Sequence, residues 1–239
     1  QRRQHPIEDR VEGRAQLESR FDADWGGFGG APKFPHTLLV QRLLRDWRAS
    51  AHLEQPDLQA LYMATLTLAR MAEGGLQDQL GGGFYRYCVD GQWEIPHFEK
   101  MLYDNAQLLG CYAEAAAATG EALFRDTANR TADFMLGTLR APGGAFWSSL
   151  DADAAGVEGS YYTWTSAEVQ ELLGPRRQPV FAARHGLDGP PNFEGHAHHL
   201  VARVPLDRLV GLLPEDERHG GVGAVEAALQ EARATLLAR

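Results

Sequence analysis

The sequence predicts a mainly α-helical chain, an array of helical hairpins whose connections carry two short β-hairpins. Three observations lead there. Apolar residues recur at helical spacing in separate stretches. Aromatic and β-branched residues flank Gly and Asp turn residues in two others. These two turn-rich segments are also alike: each has a Gly-Gly pair followed by an aromatic residue, with an aspartate seven positions after the second glycine, Gly83 to Asp90 and Gly144 to Asp151. Helix pair plus turn thus repeats at a separation of about 60 residues, the signature of a stacked or closed array of helical hairpins.

The elements follow in chain order. Residues 7–21 read as a charged helix or as a linker from an upstream domain. Leu39, Val40, Leu43, Leu44 and Trp47 set out a first amphipathic helix, and Leu58, Leu61, Thr65, Leu68 and Ala72 a second after the Pro56-Asp57 start signal. A third helix is expected over 96–119, ending at Gly120, and a fourth through Phe124, Ala128, Ala132, Met135 and Leu139 to Ala141-Pro142-Gly143. Short connections make neighbours antiparallel. The β-hairpins are expected at 84–95, around Asp90-Gly91, and at 145–164, before a capping box, Thr165-Ser166-Ala167-Glu168. Residues 201–204 look strand-like, and Val225, Leu229, Ala232 and Leu236 form a last helical stripe.

Composition fixes the broad class. The chain has 239 residues, 44% apolar and 23% charged, enough for a substantial core without disulfide staples. Its two cysteines, Cys88 and Cys111, have no CxxC or metal-ligand spacing and read as reduced thiols of a cytoplasmic protein. Lys and Arg number 23 against 32 Asp and Glu, a formal charge of -9. That field repels phosphate backbones and anionic lipid surfaces, so neither nucleic acid nor membrane is an expected partner. No apolar run reaches the length of a spanning helix. The chain begins without Met and stops within a helical pattern at Leu236-Leu237-Ala238-Arg239, and so reads as part of a longer polypeptide whose remainder is its first partner.

Chemistry concentrates in two places. Residues 93–106, Trp-Glu-Ile-Pro-His-Phe-Glu-Lys-Met-Leu-Tyr-Asp-Asn-Ala, pack imidazole, carboxylate, amine, phenol and amide into what reads as a helix start. On a helix, His97, Lys100, Asp104, Leu108 and Cys111 share a face, and the free N–H groups of the first turn suit a sugar or an acid. The bland alternative makes Lys100 and Asp104 an i,i+4 pair and leaves His97 and Tyr103 to satisfy buried backbone groups. The second place is a Gly-bounded turn where Asp151, Asp153 and Glu158 stand beside Trp147, Tyr161, Tyr162 and Trp164. Paired carboxylates among aromatic platforms suit carbohydrate chemistry, although Asp and Gly also dominate ordinary turns. His196, His198 and His199 lack a closing Cys or carboxylate framework and read as a solvated loop, so no metal and no cofactor is expected. Gly-Gly-Phe-Gly-Gly-Ala-Pro-Lys-Phe-Pro, 26–35, follows no strand and reads as close backbone packing.

Four motifs in order, 26–35, Asp-Gln-Leu-Gly-Gly-Gly-Phe-Tyr-Arg-Tyr (78–87), Pro-His-Phe-Glu-Lys-Met-Leu-Tyr-Asp-Asn-Ala (96–106) and Asp-Ala-Asp-x4-Glu-Gly-x-Tyr-Tyr-x-Trp (151–164), resemble one family. It is the thioredoxin-domain-containing family of spermatogenesis-associated protein 20, with its bacterial YyaL-type members. The resemblance spans about 20–205. It implies a partial (α/α) toroid of the six-hairpin glycosidase and epimerase-like class, with residues 1–20 leading in from an absent thioredoxin-like domain and 21–239 forming the first part of the toroid.

Residues and resemblance together suggest a carbohydrate-active domain, sugar epimerase-like or glycosidase-like, with a small-molecule sugar as ligand. His97, Glu99, Asp104, Asp151 and Asp153 are the catalytic candidates. Arg86, Tyr87, Trp93, Lys100, Tyr103, Asn105, Trp147, Glu158, Tyr162 and Trp164 are the candidate substrate contacts. In an epimerase His97 is the base, because imidazole titrates near neutrality. In a hydrolase Asp151 or Asp153 would pair with Glu99 or Glu158. The alternatives are a non-catalytic binding or scaffold module attached to a redox domain and, third, a metal-assisted hydrolase or transferase.

Overall fold

The computed structural model describes residues 6–154 and 156–239. Its elements run α1 (Pro6–Ser19), α2 (Thr37–Ser50), α3 (Leu58–Glu73), β1 (Tyr87–Cys88), β2 (Pro96–His97), β3 (Lys100–Met101), α4 (Leu102–Thr119) and α5 (Ala122–Phe134). They continue with β4 (Ser149–Leu150), β5 (Asp153–Ala154), β6 (Val157–Glu158), β7 (Thr163–Trp164), α6 (Ser166–His185), β8 (His198–His199) and α7 (Gly221–Leu237). Of the expected leader at 1–20, residues 1–5 lie outside the described residues. Residues 6–19 form α1, and Arg14 fastens it by a bidentate pair to Asp57, at 2.9 and 3.1 Å.

The helices are where the periodicity puts them, because each has a face that must be covered. Val40, Leu43 and Leu44 of α2 meet Met63, Leu68 and Met71 of α3 and Leu108, Cys111 and Tyr112 of α4 in one core. Fully burying side chains of this size contributes about 1.5–3 kcal/mol each. Val169 and Phe181 of α6, Leu209, and Val225 and Leu229 of α7 build a second core. Helices α2 and α3, α4 and α5, and α6 and α7 pack as three hairpins, with α2 also against α4 and α3 against α5. This is a partial (α/α) toroid.

End signals are equally legible. Asp57 caps α3 by accepting from Ala60 N, Thr165 and Glu168 form the capping box of α6, and Gly120 closes α4 at φ 75°. Helix α6 breaks at Gly174, φ 60°, just before Pro175. The glycine-rich 26–35 segment is a close approach: a Cβ on Gly26 would stand 2.7 Å from the Thr67 Cα, and Gly27 N donates to Thr67 Oγ1.

The strands depart from expectation. Tyr87 pairs with His97 and Cys88 with Pro96, so the first hairpin is shifted, and Asp90 ties its loop by accepting from Gln92, Glu94 and Ile95 N. Among the described residues of 145–164 only β5 and β6 form a hairpin; β4 returns to pair with β3, and β7 pairs with the distant β8. Residues 201–204 carry no strand, although Ala202 N and Arg203 N donate to Glu73 O and Arg184 O. His198 and His199, expected in a solvated loop, are buried in β8, where His199 Nε2 meets Gly75 O at 2.7 Å.

The third helix starts at Leu102 and not at residue 96. Its expected first turns are strands because Lys100 is drawn inward. The Lys100 ammonium, 1% exposed, bonds Asp78 Oδ2 at 2.7 Å and Gly82 O at 2.9 Å. Tyr85, Phe134 and Tyr162 rings surround it at 4.5 to 5.0 Å. Asp78 also accepts from Leu80 and Gly81 N. Burial alone would raise its carboxyl, but Lys100 and these N–H groups hold it below the usual carboxylate range. Breaking such a buried pair is costly. Asp78→Ala is expected to lower the unfolding free energy by about 3–5 kcal/mol, read from urea titration. Lys100→Met added to that variant should recover part of the loss, because no stranded cation then remains.

Candidate functional site

Where β2 passes into β3, the side chains of 97–100 alternate between two sides. Phe98 points inward, 0% exposed, into a small aromatic core with Tyr85 and Ala152 and with the partly buried Tyr162 and Phe193. His97 and Glu99, two residues apart, point the other way and stay partly open to solvent.

Around His97 the outward groups converge. Glu158 Oε1 lies 2.7 Å from His97 Nδ1 and accepts weakly from Phe98 N at 3.4 Å. Glu99 Oε2 lies 3.9 Å from His97 Nε2 and 2.9 Å from Arg86 Nη1. Tyr87, the cross-strand partner of His97, stacks on the imidazole at 5.1 Å, and Phe34 stacks on Tyr87 at 4.7 Å. Gly159 makes the approach of Glu158 possible: at φ 72°, a Cβ there would press to 2.5 Å on the Phe98 ring. The imidazole therefore sits between two carboxylates on an aromatic shelf.

Asp104, in the first turn of α4, is the half-buried member of this group. Desolvation pushes its carboxyl up to about 6, with Arg86 opposing and Glu99 adding to the rise. Its Oδ2 and Arg86 Nε are buried without hydrogen-bond partners. Tyr103 is exposed beside it and contributes to holding the Arg86 guanidinium charged.

Other sequence-predicted residues lie elsewhere. Trp93 is fully buried at φ 63°, its indole N–H donating to Trp25 O and its ring facing the buried Lys33; it locks the loop and offers no substrate surface. Asn105 is wholly buried, taking Phe84 N at 2.7 Å and giving to Phe84 O and Met101 O, so its amide is consumed by backbone. Lys100 faces Asp78 across the interior and not Asp104. Asp151 and Asp153 are exposed on the turn, Asp151 accepting from Asp153 N at 3.2 Å, and Trp147 is exposed nearby in sequence. Among the described residues Glu158, and neither aspartate, hydrogen-bonds His97.

Lys100, Tyr162 and Trp164 instead line a cavity of about 330 Å³, together with Asp78, Tyr85 and His199. His199 is expected in a solvated loop and Asp78 carries no expected role, although Asp78 stands at the head of the 78–87 motif. Cys88 and Cys111 are buried and free, with Cys111 pushed up to about 12 by desolvation, which suits packing and not thiolate chemistry. Among the described residues no group of three or more His, Cys, Asp and Glu has a metal-holding arrangement, and no helix is long and apolar enough to cross a membrane.

Asp104 gives a pH test. Its carboxyl binds a proton more tightly folded than unfolded, so its contribution to stability falls as pH rises from about 4 through about 6. Asp104→Asn is expected to be more stable than the parent at pH 8, with the difference closing by pH 4, in urea titrations at the two pH values.

No family model matches the chain. Over 178 residues, 72% of this chain, it is 43% identical to spermatogenesis-associated protein 20 of Mus musculus and 41% identical to that of Homo sapiens. An uncharacterised protein of Caenorhabditis elegans is 36% identical over 169 residues. The chain spans 22% of the length of the mouse and human relatives. Among solved structures, a sugar epimerase from a ruminal bacterium superposes with a TM-score of 0.50 at 14% identity, covering 98% of this chain and 70% of that one. That likeness establishes the fold.

Proposed function

Because the chain belongs, over its matched residues, to the family of spermatogenesis-associated protein 20, we propose that it is the first part of that family's toroid domain and handles a sugar through the His97 cluster. Residues 21–239 form this part, and 1–20 lead into it from a preceding domain. The remainder of the polypeptide completes the toroid. The observation that carries the reading is the clamped imidazole, with Glu158 at 2.7 Å and Glu99 at 3.9 Å on opposite ring nitrogens.

The reaction class is proton transfer next to a carbonyl. His97 takes the proton from the carbon beside the carbonyl of an opened sugar, and Glu158 fixes the ring and stabilises the imidazolium that forms. The Arg86 guanidinium faces the oxygen that gathers charge. Asp104, pushed up to about 6, is a second proton carrier in the same group, suited to delivering a proton to the other face. Tyr87, Tyr103 and Trp147 offer ring surfaces for the sugar. The hydrolytic pairing of Asp151 or Asp153 with Glu99 or Glu158 has less support, because Glu158 is engaged by His97 at 2.7 Å and Glu99 by Arg86 at 2.9 Å.

Incubation of the full chain with D-glucose, N-acetylglucosamine and cellobiose in deuterated water tests this, with exchange at C2 followed by NMR. His97→Asn is expected to slow exchange by about 10²–10⁴-fold, with Glu158→Gln intermediate. Absence of exchange with every sugar in the wild-type protein, folding intact, overturns the reading in favour of a binding or scaffold module.

A further inference from the structure

The two lysines of the sequence, Lys33 and Lys100, are both buried, but their surroundings differ. Lys33 bonds Asp22 Oδ2 at 2.6 Å and Gly91 O at 2.9 Å and is not part of the lining of the 330 Å³ cavity. Lys100 does line it, and so does Leu150, its cross-strand partner. Residues directly opposite in an antiparallel pair present their side chains to one face, so register and lining agree. None of Arg86, His97, Glu99, Asp104 or Glu158 lines this cavity. Its volume stands at the lower end of small-molecule sites.

What the cavity offers a ligand depends on how the Lys100 ammonium is held. Asp78 Oδ2 and Gly82 O take two of its hydrogens, and among the described residues no third acceptor meets it, only the rings of Tyr85, Phe134 and Tyr162. Asp78 lines the cavity too, so carboxylate and amine meet a ligand together. Their charges cancel, and Arg239, the other cation of the lining, is paired with Glu168 at 3.0 Å. An anion therefore finds no free counter-charge. What remains is the amine as a nucleophile. Burial lowers the Lys100 ammonium from its ordinary range even against the pull of Asp78, so it yields a proton more readily than a surface lysine.

The buried pair decides which addition the fold tolerates. Acylation of Lys100 would erase its charge and leave the Asp78 carboxylate buried without a partner. Condensation with a carbonyl does not: Lys-NH3+ and O=CR2 give Lys-NH+=CR2 and water, and the product keeps one positive charge beside Asp78. Asp78 Oδ2, 2.7 Å from Nζ, takes one ammonium proton, and the freed pair on Nζ adds to the carbonyl carbon. A second nitrogen hydrogen passes to the oxygen. Asp78 then returns its proton to that hydroxyl, which leaves as water while the nitrogen pair closes the C=N bond. No oxidant, reductant or cofactor enters.

We propose that Lys100 anchors a binding site for a small aldehyde or ketone, held as a reversible iminium beside Asp78 in the 330 Å³ cavity. The site goes beyond the sugar reading and uses none of its residues. The full chain is incubated with propanal and cyanoborohydride, which reduces an iminium and so fixes it, and peptide mass spectrometry locates the propyl groups. Lys100 is expected to be labelled at least about 10-fold faster than Lys33, at a rate that saturates as propanal is raised. Thr138→Trp, at an exposed lining position, should slow labelling of Lys100 to the rate of Lys33 while circular dichroism stays unchanged. Nα-acetyllysine in the same mixture shows that the reagents act. Absence of label at Lys100 while Nα-acetyllysine is propylated overturns the proposal. So does equal labelling of the two lysines, a rate that rises with propanal without saturating, or a folded Thr138→Trp variant labelled as fast as the parent; saturation in the parent decides the matter if that variant does not fold. Propanal is no sugar and the label is read at Lys100 alone, so these outcomes leave the exchange test at His97 untouched.

Discussion

Lys100 carries a charge into a place that water does not reach, and the loops that give the molecule its chemistry are arranged around that charge. Asp78 answers it from the turn after α3, Gly82 O from the glycine turn, and three aromatic rings from α5 and from the segments just before β1 and β7. Arg130 reaches back to Asp78 O at 2.9 Å. A cation buried at this depth tolerates little displacement, because every partner lost leaves it uncompensated in a low-dielectric interior. The turn, the strand and the helix ends are therefore fixed relative to one another by a single ammonium. Cores made of Leu and Ala hold the helices together, but they do not specify this loop geometry so narrowly.

The helices were legible because their signals are local. Spacing of apolar residues, Asp57 and Thr165 as caps, and Gly120 past the end of α4 all act within one or two turns of chain. The local hairpins β1–β2 and β5–β6 lie in or beside the expected segments, but two other pairings were not legible, because their partners are remote: β3 pairs with β4 across about 50 residues, and β7 with β8 across about 35. The 96–106 segment shows how the error arises. Its periodicity fits a helix from the proline onward, yet pairing with Tyr87 and Cys88 and the inward pull on Lys100 outweigh local preference for the first six residues. His198 and His199 illustrate the same limit, since a pair of imidazoles in a polar stretch carries no mark of the strand that buries it.

At the candidate site, residue types were easier to read than roles. His97, Glu99, Arg86, Tyr87, Asp104 and Glu158 do come together, and the motif density around 97 is what pointed to them. Trp93 and Asn105, equally conspicuous in sequence, are spent on backbone: one closes a loop through Trp25 O, the other copies a strand's hydrogen bonds to Phe84. A side-chain amide or indole has the same chemistry whether it meets a ligand or a peptide group, and only the fold decides which.

The alternation along 97–100 has a further consequence for how this protein can change over time. Four consecutive residues serve opposite sides of one thin wall: His97 and Glu99 the solvent side, Phe98 the aromatic core and Lys100 the interior. Losing or gaining one residue there would exchange the two sides at a stroke, placing a ring in solvent and a carboxylate against leucines. Lineages carrying this fold are thus held to the number of residues here, and at Lys100 to its charge as well. Length variation should instead collect in the loop around residue 91 and the exposed turn at 142–147, where an added residue has open space to occupy.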